Sequence, residues 1–324
     1  MNPAIRPLSP TGRHRGRRVG VLLGGLSNER EISLRTGKAI AAALRSSGYD
    51  AVEIDAGHDL PERLRAERVE VVFNALHGTW GEDGRVQGLL DWMQIPYTGD
   101  GLRACLLSMD KAISKQLFRL RGVPVADDVI WHRGAPGADP LTAECPFVGK
   151  VVVKPVAEGS SVGVTIVQTP DAFRPAVAEA FRVADRILVE RFVEGVELSV
   201  VTFFDRALGA VEIEPVRAFY DYEAKYGNAG TRYHVPPRVV GPALEACLDA
   251  GVRAHRALGC NGVTRTDVIL SETGPVVLEV NTLPGMTATS LVPKVAAAAG
   301  LTFEALVECM LDHARCGLEA DDAT

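Results

Sequence analysis

Four polar residues near the carboxyl end of the chain have the spacing of a metal site. Arg265 and Asp267 lie on one apolar strand, and Glu279 and Asn281 lie on the next. If residues 272–274 form a three-residue hairpin loop, Asp267 pairs with Glu279 and Arg265 pairs with Asn281. All four side chains then project from one face. Two carboxylates and an amide oxygen suit Mg²⁺, which also binds water and phosphate oxygens. The alternative is a solvated polar face with an arginine–aspartate ion pair.

A second set of residues has the chemistry of a phosphate site. Lys111 lies in a predicted helix, Lys154 ends a predicted strand, and the glycine-rich sequence 158–163 follows it. A lysine is a mobile point charge suited to phosphate, and a glycine-rich turn exposes backbone N–H groups to phosphoryl oxygens. The strand–turn–strand order predicts a hairpin rather than a P-loop. The alternative is two surface lysines beside an ordinary turn.

Three loops carry groups that could bind a small substrate. Residues 76–84 hold His77 and two acids among glycines after a strand, which suits an amino acid, although a capped helix start fits equally well. Residues 281–290 offer backbone donors such as the Gly285 N–H for an oxyanion, or form a simple turn before a helix. Residues 219–226 are aromatic and charged, which is typical of a substrate lid or of an exposed loop.

The elements that position these residues form three groups along the chain. Apolar runs predict N-terminal strands at 19–23, 51–54 and 69–73. Helices between them, the first from a cap at Asn28 to Gly48, indicate a doubly wound parallel sheet. The middle of the chain predicts strands at 150–154, 164–167 and 186–192, helices at 108–122 and 171–184, and a loop at 131–146. The final third predicts strands at 198–204, 211–213, 263–270 and 275–280 with helices at 242–258 and 303–314, which indicates an antiparallel α+β domain.

Composition narrows the class of protein further. The 324 residues have a net charge of −6, so a generally basic nucleic-acid or membrane-surface protein is not favoured. No apolar stretch approaches the roughly 20 residues that span a bilayer, and we expect no membrane partner. The six cysteines are scattered without a CxxC pair, which favours a reducing cytoplasm. The arginine-rich residues 1–18 are interpreted as a solvated tail, with a nucleic-acid- or partner-binding arm as the alternative.

Taken together and in order, the motifs resemble the D-alanine–D-alanine ligase family of the ATP-grasp superfamily. The similar segments are GGLSNERE from residue 24, HGTWGEDG from 77, SMDK from 108, KP at 154, EGSSVG from 158, YDYEAKY from 220, Arg265 with Asp267, EVNTLPGMT from 279, and SL at 290. The resemblance covers about residues 19 to 311. The combination is specific, although each segment alone is not.

The resemblance implies an ATP-grasp fold in which a doubly wound parallel-sheet domain is followed by two α+β domains that sandwich ATP. We therefore expect a basic disordered tail at 1–18, an N-terminal α/β domain at 19–105 and a central domain at 106–194. A C-terminal catalytic domain at 195–318 and a frayed end at 319–324 complete the expected organisation.

The resemblance also assigns roles to residues at matched positions. The expected ATP contacts are Lys111, Lys154, Glu158, Ser160, Ser161, Val162, Glu190, Arg191, Phe192, Val193, Glu197 and Lys225. The expected ligands of two Mg²⁺ or Mn²⁺ ions are Asp267, Glu279 and Asn281. The expected contacts to D-alanine are Glu29, His77, Arg265, Gly285, Ser290 and Leu291. Tyr226, Ser160 and Glu29 would form a hydrogen-bonded triad that orders the lid.

The implied activity is the ATP-driven joining of two D-alanine molecules through an acyl phosphate, in bacterial cell-wall synthesis. The family also implies a cytoplasmic homodimer, and no nucleic-acid partner is expected. Two alternatives stay open: a relative that joins D-alanine to D-lactate or D-serine, and a catalytically silent ATP-binding regulator. The dipeptide-type lid sequence argues against the first, and the presence of all the metal ligands and Arg265 argues against the second.

Overall fold

The computed structural model describes residues 9–134, 141–159, 162–215 and 230–317. Its first sheet has three parallel strands in the order β2-β1-β3. The strands are β1 (Arg18–Leu23), β2 (Asp50–Asp55) and β3 (Val71–Asn74), and the helices that connect and follow them are α1 (Arg30–Ser46), α2 (Leu60–Ala66) and α3 (Arg85–Met93). This arrangement agrees with the predicted order of elements.

The first sheet is covered on both faces because its strands are apolar on both sides. Val19 and Val21 of β1 pack with Ile40 and Leu44 of α1. Leu22 faces the other way and packs in the cluster that contains α2 and α3. Alternate side chains of a strand point to opposite faces, so one strand serves two cores. The doubly wound parallel sheet is confirmed.

The second sheet is antiparallel, with the strand order β4-β7-β5-β6. It contains β4 (Asp128–His132), β5 (Val151–Pro155), β6 (Thr165–Val167) and β7 (Arg186–Arg191), and it is covered by α6 (Phe173–Val183). Strand β4 overlaps the start of the predicted 131–146 loop, and that part of the prediction is wrong. The ring of Trp131 lies edge-on to Phe173, with centroids 5.6 Å apart, so β4 is fixed by a contact distant in sequence.

The third sheet has five antiparallel strands in the order β10-β9-β8-β11-β12. These are β8 (Val196–Phe203), β9 (Arg206–Glu214), β10 (Arg232–His234), β11 (Val263–Ser271) and β12 (Gly274–Asn281). Helix α7 (Pro242–Ala257) covers one face, and α8 (Leu291–Ala298) and α9 (Phe303–Asp312) lie on the other. The antiparallel α+β prediction is confirmed. In the described part of the chain, no helix is long and apolar enough to cross a membrane.

The first and third sheets share one hydrophobic core. Val21 and Phe73 of the first sheet lie in the same buried cluster as Phe203 and Ile213 of the third, together with Leu311 of α9. The second sheet and α6 form a separate cluster. The chain therefore packs into two units. The first and third sheets form the larger unit, and the second sheet with α6 forms the smaller one.

The β11–β12 hairpin differs from the predicted hairpin in its turn. Ser271 pairs with Gly274, so the loop has two residues, not three. A register shift after Asp267 then leaves Leu278 as an extra residue in β12. The bulge compensates for the shorter turn. Asp267 still pairs with Glu279, as predicted, and Arg265 still pairs with Asn281.

The predicted helix 108–122 is two helices, α4 (Leu102–Met109) and α5 (Lys111–Leu120). Asp110 separates them because its backbone is extended and its side chain accepts a hydrogen bond from the Ile113 N–H. Its carboxylate also lies 2.6 Å from Arg186 Nη1. The cap at Asn28 is likewise wrong: helix α1 is capped at Glu29, without a side-chain hydrogen bond.

Residues 9–18 of the predicted solvated tail contact the fold, although His14 is the only buried residue among them. The backbone N–H groups of Thr11, Gly12 and Arg13 donate hydrogen bonds to the Asp312 carboxylate at the end of α9. His14 is 1% exposed. These contacts tie the segment, which we call the N-terminal arm (residues 9–17), to the carboxyl end of the fold.

Candidate active site

Two adjoining clefts lie where the three sheets meet. The larger, of about 550 Å³, opens between the second and third sheets. The smaller, of about 80 Å³, is lined by residues of the first and third sheets and their loops. Lys111, Glu158 and Glu279 line both clefts, so the clefts meet at these residues.

The large cleft collects most of the predicted ATP-binding residues. The predicted residues that line it are Lys111, Lys154, Glu158, Glu190, Arg191, Phe192, Val193 and Glu197. Val162 is 45% exposed and lines neither cleft. Ser160, Ser161, Lys225 and Tyr226 lie outside the described residues, so their predicted roles stay predictions.

A buried ion-pair network stands at one end of the large cleft. Glu190 Oε1 lies 2.5 Å from Lys154 Nζ, and Glu190 Oε2 lies 2.7 Å from Lys115 Nζ. Lys115 also contacts Asp128 at 3.0 Å. Burial would raise the pKa of Glu190, but attraction to Lys154 and Lys115 outweighs it and lowers the pKa. Glu190 is therefore an anion that only accepts hydrogen bonds.

Lys111 is the first residue of α5, and this position places it at the junction of the two clefts. Asp110 caps the helix, and the Lys111 N–H donates to the Val156 carbonyl oxygen. The Lys111 ammonium then donates to the Glu158 carbonyl oxygen at 2.8 Å and lies 3.3 Å from Glu279 Oε2. A cation held beside the predicted phosphate turn and a carboxylate of the metal type could neutralise a transferring phosphoryl group.

The predicted metal ligands come together on one face of the β11–β12 hairpin. Asp267 Oδ2 lies 3.4 Å from Asn281 Nδ2, and Arg265 forms a fork with Asp267 through Nε at 2.9 Å and Nη2 at 3.0 Å. The buried Ser199 hydroxyl donates to Asp267 Oδ1 at 2.6 Å. Asp267 and Glu279 both line the large cleft.

This oxygen set fits Mg²⁺ or Mn²⁺ bound jointly by protein and nucleotide. Among the described residues, no group of three His, Cys, Asp or Glu side chains forms a complete metal cage. Mg²⁺ does not need one, since it usually takes one or two carboxylates and completes its shell with water and substrate phosphates. Two carboxylates are available here, from Asp267 and Glu279, and the Asn281 amide oxygen adds a third hard ligand.

The small cleft brings Glu29, His77, Arg265 and Gly285 together. Gly78 has φ +68°, and a Cβ added there would lie 2.6 Å from Glu29 Oε2, so the carboxylate needs a glycine beside it. His77 is held on both ring nitrogens, by Glu82 at 3.3 Å and by Thr36 at 3.2 Å. A carboxylate and an arginine that both line a small polar pocket suit the two charges of an amino acid.

Ser290 and Leu291 have different environments. Ser290 Oγ contacts the Thr287 N–H at 3.0 Å, and a Cβ on Gly285 would lie 2.9 Å from that oxygen, so Ser290 stands beside the predicted oxyanion donor. Leu291 begins α8 and is buried in the shared core, with its side chain outside both clefts. The structure therefore gives Leu291 a packing role.

Two residues that the sequence analysis did not assign complete the site. Lys115 holds Glu190, and Ser199 holds Asp267. The spacing of Lys115, four residues after Lys111 in a helix, was a visible signal. Ser199 carries none in the sequence, because its role depends on its pairing with Asp267 across two strands.

Comparisons with known proteins agree with this geometry. The family model described as D-ala D-ala ligase C-terminus matches residues 140–312, and the model described as D-ala D-ala ligase N-terminus matches residues 57–100. A curated D-alanine–D-alanine ligase of Anaeromyxobacter dehalogenans (strain 2CP-C) is 52% identical over 300 residues, which cover 92% of this chain and 97% of that protein.

Two solved structures are similar over most of their length. The D-alanine–D-alanine ligase of Bacillus anthracis complexed with ATP has a TM-score of 0.77 at 30% identity, covering 91% of this chain and 96% of that one. The VanG D-Ala:D-Ser ligase of Enterococcus faecalis has a TM-score of 0.79 at 27% identity, covering 91% and 98%.

The class follows from the fold and the site together. A cleft lined by lysines and carboxylates between two antiparallel α+β units, beside a parallel N-terminal sheet, is the ATP-grasp architecture. Within that class, the chain belongs to the D-alanine–D-alanine ligase family.

Proposed function

We propose that the protein joins two D-alanine molecules into D-alanyl-D-alanine, with ATP converted to ADP and phosphate, to supply peptidoglycan synthesis. The observation that carries this proposal is the meeting of the two clefts. Lys111 and Glu279 line both the nucleotide-sized cleft and the small polar pocket, and Arg265 lines the pocket beside them. A phosphoryl group and an amino-acid carboxylate bound in the two clefts would meet there.

The first step activates a carboxylate, which is a poor electrophile by itself. Glu29 binds the ammonium of the first D-alanine. A carboxylate oxygen of that D-alanine attacks the γ-phosphorus of ATP. The bond between that phosphorus and the β–γ bridging oxygen breaks, giving D-alanyl phosphate and ADP. Lys111 and Lys154 neutralise charge on the phosphoryl oxygens during transfer. Asp267, Glu279 and Asn281 would hold two Mg²⁺ or Mn²⁺ ions, which would supply Lewis-acid charge neutralisation when bound.

The second step forms the peptide bond. The neutral amine of the second D-alanine attacks the acyl carbon to form a tetrahedral intermediate. Inorganic phosphate then departs and takes up the proton that leaves the nitrogen. The Arg265 guanidinium and the Gly285 N–H stabilise the oxyanion, and Ser290 binds the carboxylate of the second substrate. Exclusion of water protects the acyl phosphate from hydrolysis.

The test is an ADP-release assay with the purified chain and MgATP, with the product identified by mass. D-alanine is compared with L-alanine, and D-serine and D-lactate are each offered beside D-alanine as acceptors. We expect ADP release with D-alanine and a product of the dipeptide mass. D-serine is included because a D-Ala:D-Ser ligase has a similar fold. A mixed D-Ala–D-Ser or ester product as the main species would contradict the acceptor assignment, and no D-alanine-dependent ADP release would contradict the reaction.

The proposal also covers the domain organisation, the cellular compartment and the oligomeric state of the protein. The three sheets, β1–β3, β4–β7 and β8–β12, support three successive domains, but the predicted limit between 105 and 106 falls inside α4 (Leu102–Met109). The six cysteines are free thiols, as a reducing cytoplasm maintains them. A homodimer is proposed from the resemblance, and light scattering at assay concentration tests it.

A further inference from the structure

Lys115 is a buried charge that the proposed chemistry does not use. It is 1% exposed and is not among the described residues that line either cleft. Its ammonium lies between two carboxylates, 2.7 Å from Glu190 and 3.0 Å from Asp128. A lysine is rarely buried to this extent unless it is paired, and these two carboxylates account for its burial.

Glu190 needs a cation that remains in place when nucleotide binds. Its buried carboxylate is held by Lys154 and Lys115, one on each oxygen. Lys154 lines the cleft and is proposed to contact phosphate, which competes with its contact to Glu190. A buried carboxylate without a cation would take up a proton or lose its orientation. Lys115 is out of reach of the cleft, and it therefore keeps Glu190 charged while Lys154 turns to phosphate.

A permanently charged Glu190 can only accept hydrogen bonds, and this property selects among purine bases. Adenine presents an amino group at ring position 6, which donates to a carboxylate. Hypoxanthine and guanine present a carbonyl oxygen at that position, which would face the carboxylate as a second acceptor. A buried polar mismatch of this kind typically costs about tenfold or more in affinity. A protonated Glu190 would instead donate to the carbonyl and lose the distinction.

We propose that Lys115 is a positioning residue that fixes Glu190 as an acceptor and thereby sets the preference for a 6-amino purine nucleotide. The proposal rests on the proposed function in one respect, namely that the nucleotide base lies beside Glu190. It assigns Lys115 no contact with any substrate. A purely structural Lys115 would affect folding stability but would leave the choice of base unchanged.

The experiment compares binding of MgATP and MgITP by calorimetry without D-alanine. The two bases differ at position 6 and in the hydrogen that hypoxanthine carries on N1, so the effect of each variant on the ATP/ITP ratio, rather than the wild-type ratio alone, reports on Lys115. The variants are Lys115→Met and Lys115→Met/Asp128→Asn. The double variant also removes the charge of Asp128, one of the two carboxylates that lose contact with Lys115. It provides a folded sample if the single change costs too much stability. The matched control is Arg119→Met, because Arg119 contacts Asp128 but has no recorded contact with Glu190. Thermal melting verifies that each variant is folded.

We expect wild type to bind ATP at least about tenfold more tightly than ITP. The ratio should fall by about tenfold in both Lys115 variants, mainly through weaker ATP binding, and should stay at the wild-type value in Arg119→Met. An unchanged ratio in the Lys115 variants, an equal loss in Arg119→Met, or a wild type that binds both nucleotides alike would overturn the proposal. Because D-alanine is absent, failure of the ligase reaction would not alter this result.

Discussion

Arg265 depends on the shape of its side chain as well as on its charge. Its guanidinium holds both oxygens of Asp267 through Nε and Nη2, and it lines the small cleft. A planar fork fixes two hydrogen bonds at once, whereas an ammonium is a point charge. Replacing Arg265 by lysine therefore keeps the positive charge but removes the planar fork that makes two fixed hydrogen bonds.

We expect Arg265→Lys to lower kcat by about 10²–10³, the usual cost of losing one oxyanion donor. The measurement is steady-state ADP release at saturating ATP and D-alanine. Arg253→Lys, a change at a partly exposed arginine that pairs with Asp249, is the control and should keep the wild-type rate. A near-normal kcat in Arg265→Lys would remove Arg265 from the chemical step.

The Ser199 hydroxyl donates to Asp267, one of the proposed metal ligands. We expect Ser199→Ala to raise the Mg²⁺ concentration needed for half-maximal activity by about 10- to 100-fold, because groups that orient metal ligands typically contribute this much. The fold should be retained, and direct Mn²⁺ titration by electron paramagnetic resonance should show the same weakening.

Thr202→Val is the matched control for Ser199→Ala. Thr202 is buried on the same strand, and its hydroxyl has no hydrogen-bond partner among the described residues. An equal metal requirement in Ser199→Ala and Thr202→Val would mean that the hydrogen bond to Asp267 does not orient a metal ligand.

The residues proposed to touch substrates were predictable from the sequence, whereas the residues that position them were not. Lys111, Asp267 and Glu279 have side-chain types that indicate their chemistry wherever they occur in a motif. A serine such as Ser199 is common in strands, and only the pairing of β8 with β11 brings it to Asp267. That pairing depends on the register of two strands distant in sequence, and no local pattern indicates it.

At the level of secondary structure, the start of α5 fixes the position of the Lys111 ammonium. Asp110 ends α4, caps α5 and pairs with Arg186, and Lys111 follows directly. We expect Asp110→Ala to lower the free energy of unfolding by about 1–2 kcal/mol and to raise the KM for ATP, since Lys111 loses its fixed position. Urea unfolding and ATP kinetics measure the two effects.

Asp110→Asn separates the two contacts of Asp110. It keeps an oxygen that can cap the helix but removes the charge that faces Arg186, so it should recover most of the lost stability. If Asp110→Ala unfolds at the wild-type urea concentration, the cap does not stabilise α5.

The β11–β12 hairpin shows where prediction by pattern stops. The alternation of apolar and polar residues correctly paired Asp267 with Glu279, but the predicted loop was one residue too long. The extra residue, Leu278, lies within the strand as a bulge. Alternation fixes which face a side chain occupies, whereas turn length and bulge position depend on local twist.

Across the whole molecule, the N-terminal arm joins the two ends of the chain. We expect a chain that starts at Arg17 to melt at least about 2 °C below one that starts at Ser9, because Asp312 loses three backbone donors and Glu308 loses Arg15. The KM for ATP should be unchanged, since no arm residue lines either cleft. Equal melting temperatures would restore the interpretation of a solvated tail.

His14 should make the stability of the arm depend on pH. Burial, then the charges of Arg17 and Arg13, lower the pKa of His14 below 6.5, while Asp312 opposes the shift. The unfolded chain therefore binds a proton more readily, and the contribution to stability is present above pH 6.5 and is lost as the pH falls through the lower, folded-state pKa. Unfolding free energies between pH 7 and pH 5 should fall less steeply in His14→Phe than in wild type, and the exposed control His132→Phe should leave the slope unchanged.

The shared core of the first and third sheets was not visible in the sequence, because it joins side chains more than a hundred positions apart. It has an evolutionary consequence. Glu29, His77, Arg265 and Gly285 all extend from that one packed unit, whereas Lys154 and Glu190 belong to the smaller second sheet. Changes that retune the choice of amino acid can accumulate on one unit without disturbing the nucleotide side, so such a family can diversify its products while keeping a common energy source.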